Sequence, residues 1–139
     1  MKRFILLATV LAMSAVLLIA CGGGAAEEVA ETITETFTVT GYDEFRFDPE
    51  TLTVQNGSEV TINFVNAGVL EHNWILVSDT ADVSSVTDVD ALSGANVGFV
   101  QAGEEGSITF FAPGPGTYKM VCTVAGHADG GMVGDFIVE

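Results

Sequence analysis

Short runs in which every second residue is apolar, each closed by a turn residue, constrain this chain more than any other feature. Val60, Ile62 and Phe64 alternate in this way, as do Phe37 and Val39, Phe45 and Phe47, Leu52 and Val54, and His72, Trp74 and Leu76. Successive side chains of an extended strand point to opposite faces, so each run buries one face and wets the other. Asp48-Pro49, Asn56-Gly57, Ala67-Gly68 and Pro113-Gly114-Pro115-Gly116 separate the runs as turns. Further strands are expected at Val97–Val100, Ile108–Phe111, Thr117–Cys122 and Val133–Val138. Seven or eight short strands so spaced predict an all-β fold, an antiparallel or mixed β-sandwich. Between Ser78 and Gly98, the spacing of Val83, Val86, Val89, Ala91 and Leu92 predicts a loop carrying one short helix.

The first twenty residues do not belong to that pattern. Lys2 and Arg3 precede an apolar run from Phe4 to Ala20, the arrangement of a secretory signal. Leu18-Ile19-Ala20-Cys21 resembles the lipobox of bacterial lipoproteins, which implies cleavage before Cys21 and lipid on its sulfur. The alternative is an uncleaved membrane anchor, since about 17 to 25 apolar residues suffice to span a bilayer. Either way the domain is expected outside the cytoplasm, at a bacterial cell membrane. Residues 21–35 are small and acidic with no periodic apolar positions, and read as a flexible tether with an r.m.s. span of about 20 Å. Residues 36–139 form the folded domain.

Beyond residue 20 only Arg46 and Lys119 remain basic against all nineteen carboxylates, a net charge of −17. Such a balance excludes nucleic acid and anionic lipid as partners. It suits steering toward a basic protein surface, or serves simply as a solubility coat. Cysteine usage is more pointed. With Cys21 acylated, Cys122 has no intramolecular partner, and a lone thiol in an oxidising compartment invites oxidation unless something occupies the sulfur.

Cys122 opens the segment CTVAGHADGGM, which sets Cys122, His127 and Met132 at a Cys-x4-His-x4-Met spacing. Gly126, Gly130 and Gly131 let that loop turn tightly. The one other histidine, His72, begins the strand HNWILV. Taken singly, a cysteine is usually a small buried hydrophobe, a methionine a gap-filler and a histidine a satisfied polar group. Jointly, two imidazoles, a thiolate and a thioether suit copper cycling between Cu(II) and Cu(I), with the methionine as weak axial ligand.

With His72-Asn73 in HNWILV, GTYKMVC leading into the loop, and the order His, Cys, His, Met, the chain resembles the cupredoxins, or small blue-copper proteins, over about residues 35–139. The auracyanin and azurin types are the most similar. The resemblance implies a Greek-key sandwich, one type 1 copper ion held by His72, Cys122, His127 and Met132, and Asn73 hydrogen-bonding across to the ligand loop. It departs from azurins at Glu71, where they place a glycine whose carbonyl is a distant extra ligand.

A monomeric, non-enzymatic, membrane-tethered electron carrier is therefore expected, docking redox proteins near His127, with Val69, Leu70, Val124, Ala125 and Ala128 as an apolar patch. Four protein ligands leave no open position for a substrate. Two alternatives are an extracytoplasmic copper chaperone or buffer, and a metal-free interaction module with an inert Cys122.

Overall fold

The computed structural model describes residues 31–139, so the expected signal segment 1–20, Cys21 and most of the expected tether lie outside the described residues. Nine strands form two sheets. The first sheet orders β2 (Arg46–Asp48), β1 (Thr34–Tyr42), β4 (Glu59–Asn66) and β7 (Glu105–Phe111). The second orders β3 (Thr51–Val54), β9 (Val133–Val138), β8 (Gly116–Val121), β5 (His72–Ser78) and β6 (Asn96–Val100). β1 runs parallel to β4, and β3 to β9, while the remaining pairs are antiparallel, so the sandwich is mixed. Nine strands stand where seven or eight are expected, β2 and β3 being only three and four residues long and lying in different sheets on either side of Pro49.

β4 shows the physics that builds the core. Val60, Ile62 and Phe64 are wholly buried, while Glu59, Thr61, Asn63 and Val65 face outward and are partly exposed. The inward rows of both sheets meet in one cluster that includes Val39, Phe47, Trp74, Leu76, Met120, Cys122, Met132 and Phe136. Trp74 is fully buried near Phe110, and its indole N–H has no partner among the described residues. That omission costs about 1–3 kcal/mol, which the ~4–6 kcal/mol from burying so large a ring offsets.

β5 departs from simple alternation, since every residue from His72 to Val77 is buried. Its inward face joins the main core, whereas Ile75 and Val77 pack outward with Val121 beneath Ala81, Val83, Val86 and Ala91. The segment after β5 thus acts as a lid on the second sheet. It holds two 3-10 turns, Asp88–Asp90 and Leu92–Gly94, in place of the single short helix expected there. The apolar spacing of that stretch reflects packing onto β5 and β8 rather than an amphipathic helix.

Phe45 also departs from expectation. It belongs to the turn between β1 and β2 with φ of 57°, in the left-handed region, so it does not continue the row of Phe47. This turn, the segment 67–71 and the loop 122–132 gather at one end of the sandwich.

Candidate metal centre

The ligand loop is a compact backbone structure. Cys122 N–H donates to the Met132 carbonyl at 3.1 Å, Met132 N–H to the His127 carbonyl at 2.9 Å, and His127 N–H to the Val124 carbonyl at 2.9 Å. Gly126 and Gly131, at φ of 82° and 109°, supply the left-handed turns this path needs. Gly130 serves a different purpose: a β-carbon there would collide with the Phe45 ring, which packs against His127 at a centroid distance of 4.7 Å.

β5 brings the fourth residue across. His72, Cys122 and His127 each offer one ligand atom, all lying within 4.8 Å of one another and all buried. His72 Nδ1 is 3.1 Å from His127 Nδ1, and Cys122 Sγ is 3.5 Å from His127 Nδ1 and 4.0 Å from His72 Nδ1. Met132 is fully buried in the same core cluster as Cys122, its methyl against Gly41 of β1. All the sequence-predicted metal residues therefore come to one end of the fold, arranged as a type 1 site.

Asn73 makes the connection expected of it. Thr123 N–H donates to Asn73 Oδ1 at 2.7 Å, and Asn73 Nδ2 donates to Thr123 Oγ1 at 2.8 Å. Both directions being fixed, the Thr123 hydroxyl must donate onward, to Asp88 Oδ1 at 3.0 Å. The Asn73 N–H lies 3.5 Å from Cys122 Sγ, a donor aimed at the sulfur. Thus the lid over the second sheet, the start of β5 and the ligand loop are one hydrogen-bonded unit.

Two residues near the ligands escaped the sequence. One is Phe45 beside His127. The other is Asp43, whose Oδ1 lies 3.1 Å from His72 Nε2 while its carboxylate accepts the N–H groups of Val69 and Leu70. Among nineteen carboxylates nothing in the sequence marks Asp43, because the contact spans 29 residues, from the turn after β1 to the first residue of β5. The backbone N–H groups of Val69 and Leu70, and then His72, hold its carboxyl below the ordinary value of 3.8. Glu71, at the departure from azurins, hydrogen-bonds Gln101 with its side chain.

The electrostatics fit a metal. Burial pushes the Cys122 thiol up from its ordinary value, against the opposing backbone N–H groups of Asn73 and Val124. Burial, then the neighbouring His72, pushes the His127 imidazole down from 6.5, so it is neutral at pH 7 and has a lone pair to offer. Two buried imidazoles and a buried thiol make a donor set of borderline nitrogen and soft sulfur, which excludes calcium or magnesium and suits copper.

A mixed β-sandwich closing such a set at one end defines a cupredoxin. The chain belongs to the copper binding proteins of the plastocyanin/azurin family, whose family model matches residues 33–139. It is 33% identical over 148 residues to auracyanin-A of Chloroflexus aurantiacus, covering 90% of each chain. It is 34% identical over 133 residues to auracyanin-B of the same organism, covering 83% of this chain but only 57% of that protein. Among solved structures, auracyanin B superposes with a TM-score of 0.68 at 31% identity, covering 80% of this chain and 93% of that one.

Proposed function

We propose that the chain is a blue-copper electron carrier tethered to a membrane, with His72, Cys122, His127 and Met132 as the metal ligands. The observation that carries this reading is the closure of the site: the three nitrogen and sulfur ligand residues and Met132 are all buried and converge from the ends of three neighbouring strands of one sheet, β5, β8 and β9, and the loop between the last two. Copper held there supplies one-electron chemistry by cycling between Cu(II) and Cu(I). The protein's contribution is to keep the ligand atoms in place. The backbone bonds of the loop and the Asn73–Thr123–Asp88 chain hold Cys122 and His127, and the core holds Met132.

The two histidines differ in their access to solvent. His72 is fully buried and its Nε2 is covered by Asp43, while His127 is 6% exposed and no described residue hydrogen-bonds its Nε2. His127 thus reaches the surface through a narrower opening than the sequence suggests. Val69 at 82% exposure, Leu70 at 44% and Ala125 lie at this end, and Glu71 and Asp129 are exposed there as well. An apolar contact with an acidic margin suits a redox partner that presents a basic rim. Val124 and Ala128 are partly buried and contribute more to packing than to that surface.

Handing over an ion, as a copper chaperone does, requires ligands that an acceptor can reach, and burial of all four opposes it. The signal-like residues 1–20 and Cys21 support export and a lipid tether, which mass spectrometry of the membrane-extracted protein tests by the mass of an acylated Cys21. Protein-film voltammetry of the copper-loaded protein tests the carrier reading. Reversible one-electron waves with copper retained over many cycles are expected; loss of copper on reduction would instead identify a buffer.

A further inference from the structure

Three donors converge on the Asp43 carboxylate. Val69 N–H reaches Oδ2 at 2.8 Å, Leu70 N–H reaches Oδ1 at 3.1 Å, and His72 Nε2 lies 3.1 Å from Oδ1. An ionised carboxylate only accepts hydrogen bonds, so the proton of a neutral His72 is on Nε2. Nδ1 then carries a lone pair, and it faces His127 Nδ1 at 3.1 Å and Cys122 Sγ at 4.0 Å. A β-carbon at position 68 would collide with Asp43 Oδ1, so Gly68 is what lets the carboxylate lie against this segment. The His72 side chain is 0% exposed and that of Asp43 32%, which makes the carboxylate the cap on the outer edge of a buried ring.

We propose that Asp43 is a positioning residue of the metal centre: it accepts the His72 Nε2–H and so fixes the tautomer and ring angle that aim Nδ1 at Cys122 and His127. The inference rests on the copper reading given above. A carboxylate on the far nitrogen of a ligating imidazole also makes that ligand more basic. Asp43 therefore favours the more highly charged ion, and its loss raises the reduction potential.

Holding the segment 68–70 is a second task of Asp43, and the test separates the two. In Asp43→Asn, the amide oxygen still accepts from His72 and Leu70, while its NH2 meets the Val69 N–H and loses that bond. Asp43→Ala loses every contact. Glu44→Gln removes one charge from an exposed neighbour and serves as the field control. Each copper-loaded protein is reduced to diamagnetic Cu(I) and its ring N–H protons are observed by NMR, alongside the visible spectrum, the potential and copper affinity.

A slowly exchanging His72 Nε2–H is expected in the parent and in Asp43→Asn, and its loss in Asp43→Ala. The potential should rise in both Asp43 variants and stay put in Glu44→Gln, and copper affinity should fall about ten- to a hundredfold in Asp43→Ala. A protected His72 proton and parental potential in Asp43→Ala would reduce Asp43 to a loop anchor and overturn the proposal. So would an equal rise in Glu44→Gln. If Asp43→Ala does not fold, an unchanged potential in Asp43→Asn overturns it. Failure of the parent protein to form a thiolate–copper band would instead defeat the copper reading itself, and the inference with it.

Discussion

His72 Nδ1 and His127 Nδ1 face each other across 3.1 Å from positions 55 residues apart in the chain. With the His72 proton held at Nε2 by Asp43, one hydrogen bond from His127 Nδ1–H satisfies both nitrogens in the copper-free protein. Binding an ion replaces that bond by two inward lone pairs. The His127 proton needs only to move to Nε2, so this imidazole, neutral at pH 7, releases nothing to the buffer.

Cys122 behaves differently. Its thiol is pushed up by burial, so the copper-free sulfur keeps its proton at pH 7. Copper takes the thiolate, and uptake should release about one proton per ion. Because the proton competes with the metal, apparent affinity should rise about tenfold per pH unit while the pH stays below the thiol's raised value and above the lowered value of His127. Calorimetry in buffers of different ionisation enthalpy measures the count; no net release would mean that the thiol is already ionised.

Gly130 and Gly126 should fail in different ways. A methyl at 130 collides with the Phe45 ring and displaces it from His127. Gly130→Ala should therefore cost about 1–3 kcal/mol and alter the copper spectrum. Gly126→Ala meets nothing within 4 Å but must hold φ near 82°, a strain of about 1–2 kcal/mol with the site intact. Chemical denaturation and the visible spectrum of each variant distinguish clash from strain.

Asn73 and Thr123 make two reciprocal bonds and act as a pair. Asn73→Ala leaves the Thr123 N–H without its acceptor, a loss of about 1–3 kcal/mol. The double-mutant cycle with Thr123→Val should show coupling of about 0.5–3 kcal/mol. Additive losses would mean that the ligand loop does not depend on this bridge.

Met132→Leu should raise the reduction potential while keeping the blue colour. Leucine nearly conserves volume, so stability should change by less than about 1.5 kcal/mol, but it offers no donor atom, and the more highly charged Cu(II) loses more by that than Cu(I). The acid coat contributes less. A surface carboxylate about 15 Å from the ion contributes roughly 0.3 kcal/mol in water, or about 0.04 after screening. Even seventeen such charges give only ~0.7 kcal/mol, roughly 30 mV for one electron. An unchanged or lowered potential in Met132→Leu would count against an axial role for the thioether.

Much of this was legible in the residues because two periodic signals are strong. The alternation at Val60, Ile62 and Phe64 survives as an inward row of β4, and the four candidate ligands meet because His72, Cys122 and Met132 lie at strand ends and His127 on the loop that joins two of those strands, all at one end of the sandwich. Phe45 was misread because period-two counting cannot see a left-handed turn at a non-glycine residue. The segment 79–95 was misread because residues packing onto an outer sheet face mimic the spacing of a helix. Asp43 was invisible for a third reason: its role depends on a fold that brings the turn after β1 against the first residue of β5.

The central claim is that Cys122 is a copper ligand rather than a buried, inert thiol. Titrating Cu(II) into the copper-free protein and recording its visible spectrum tests it most directly. An intense thiolate-to-copper band is expected that saturates at one ion per chain and is abolished by Cys122→Ser. A folded protein that takes up no copper, or binds it without that band, would contradict it.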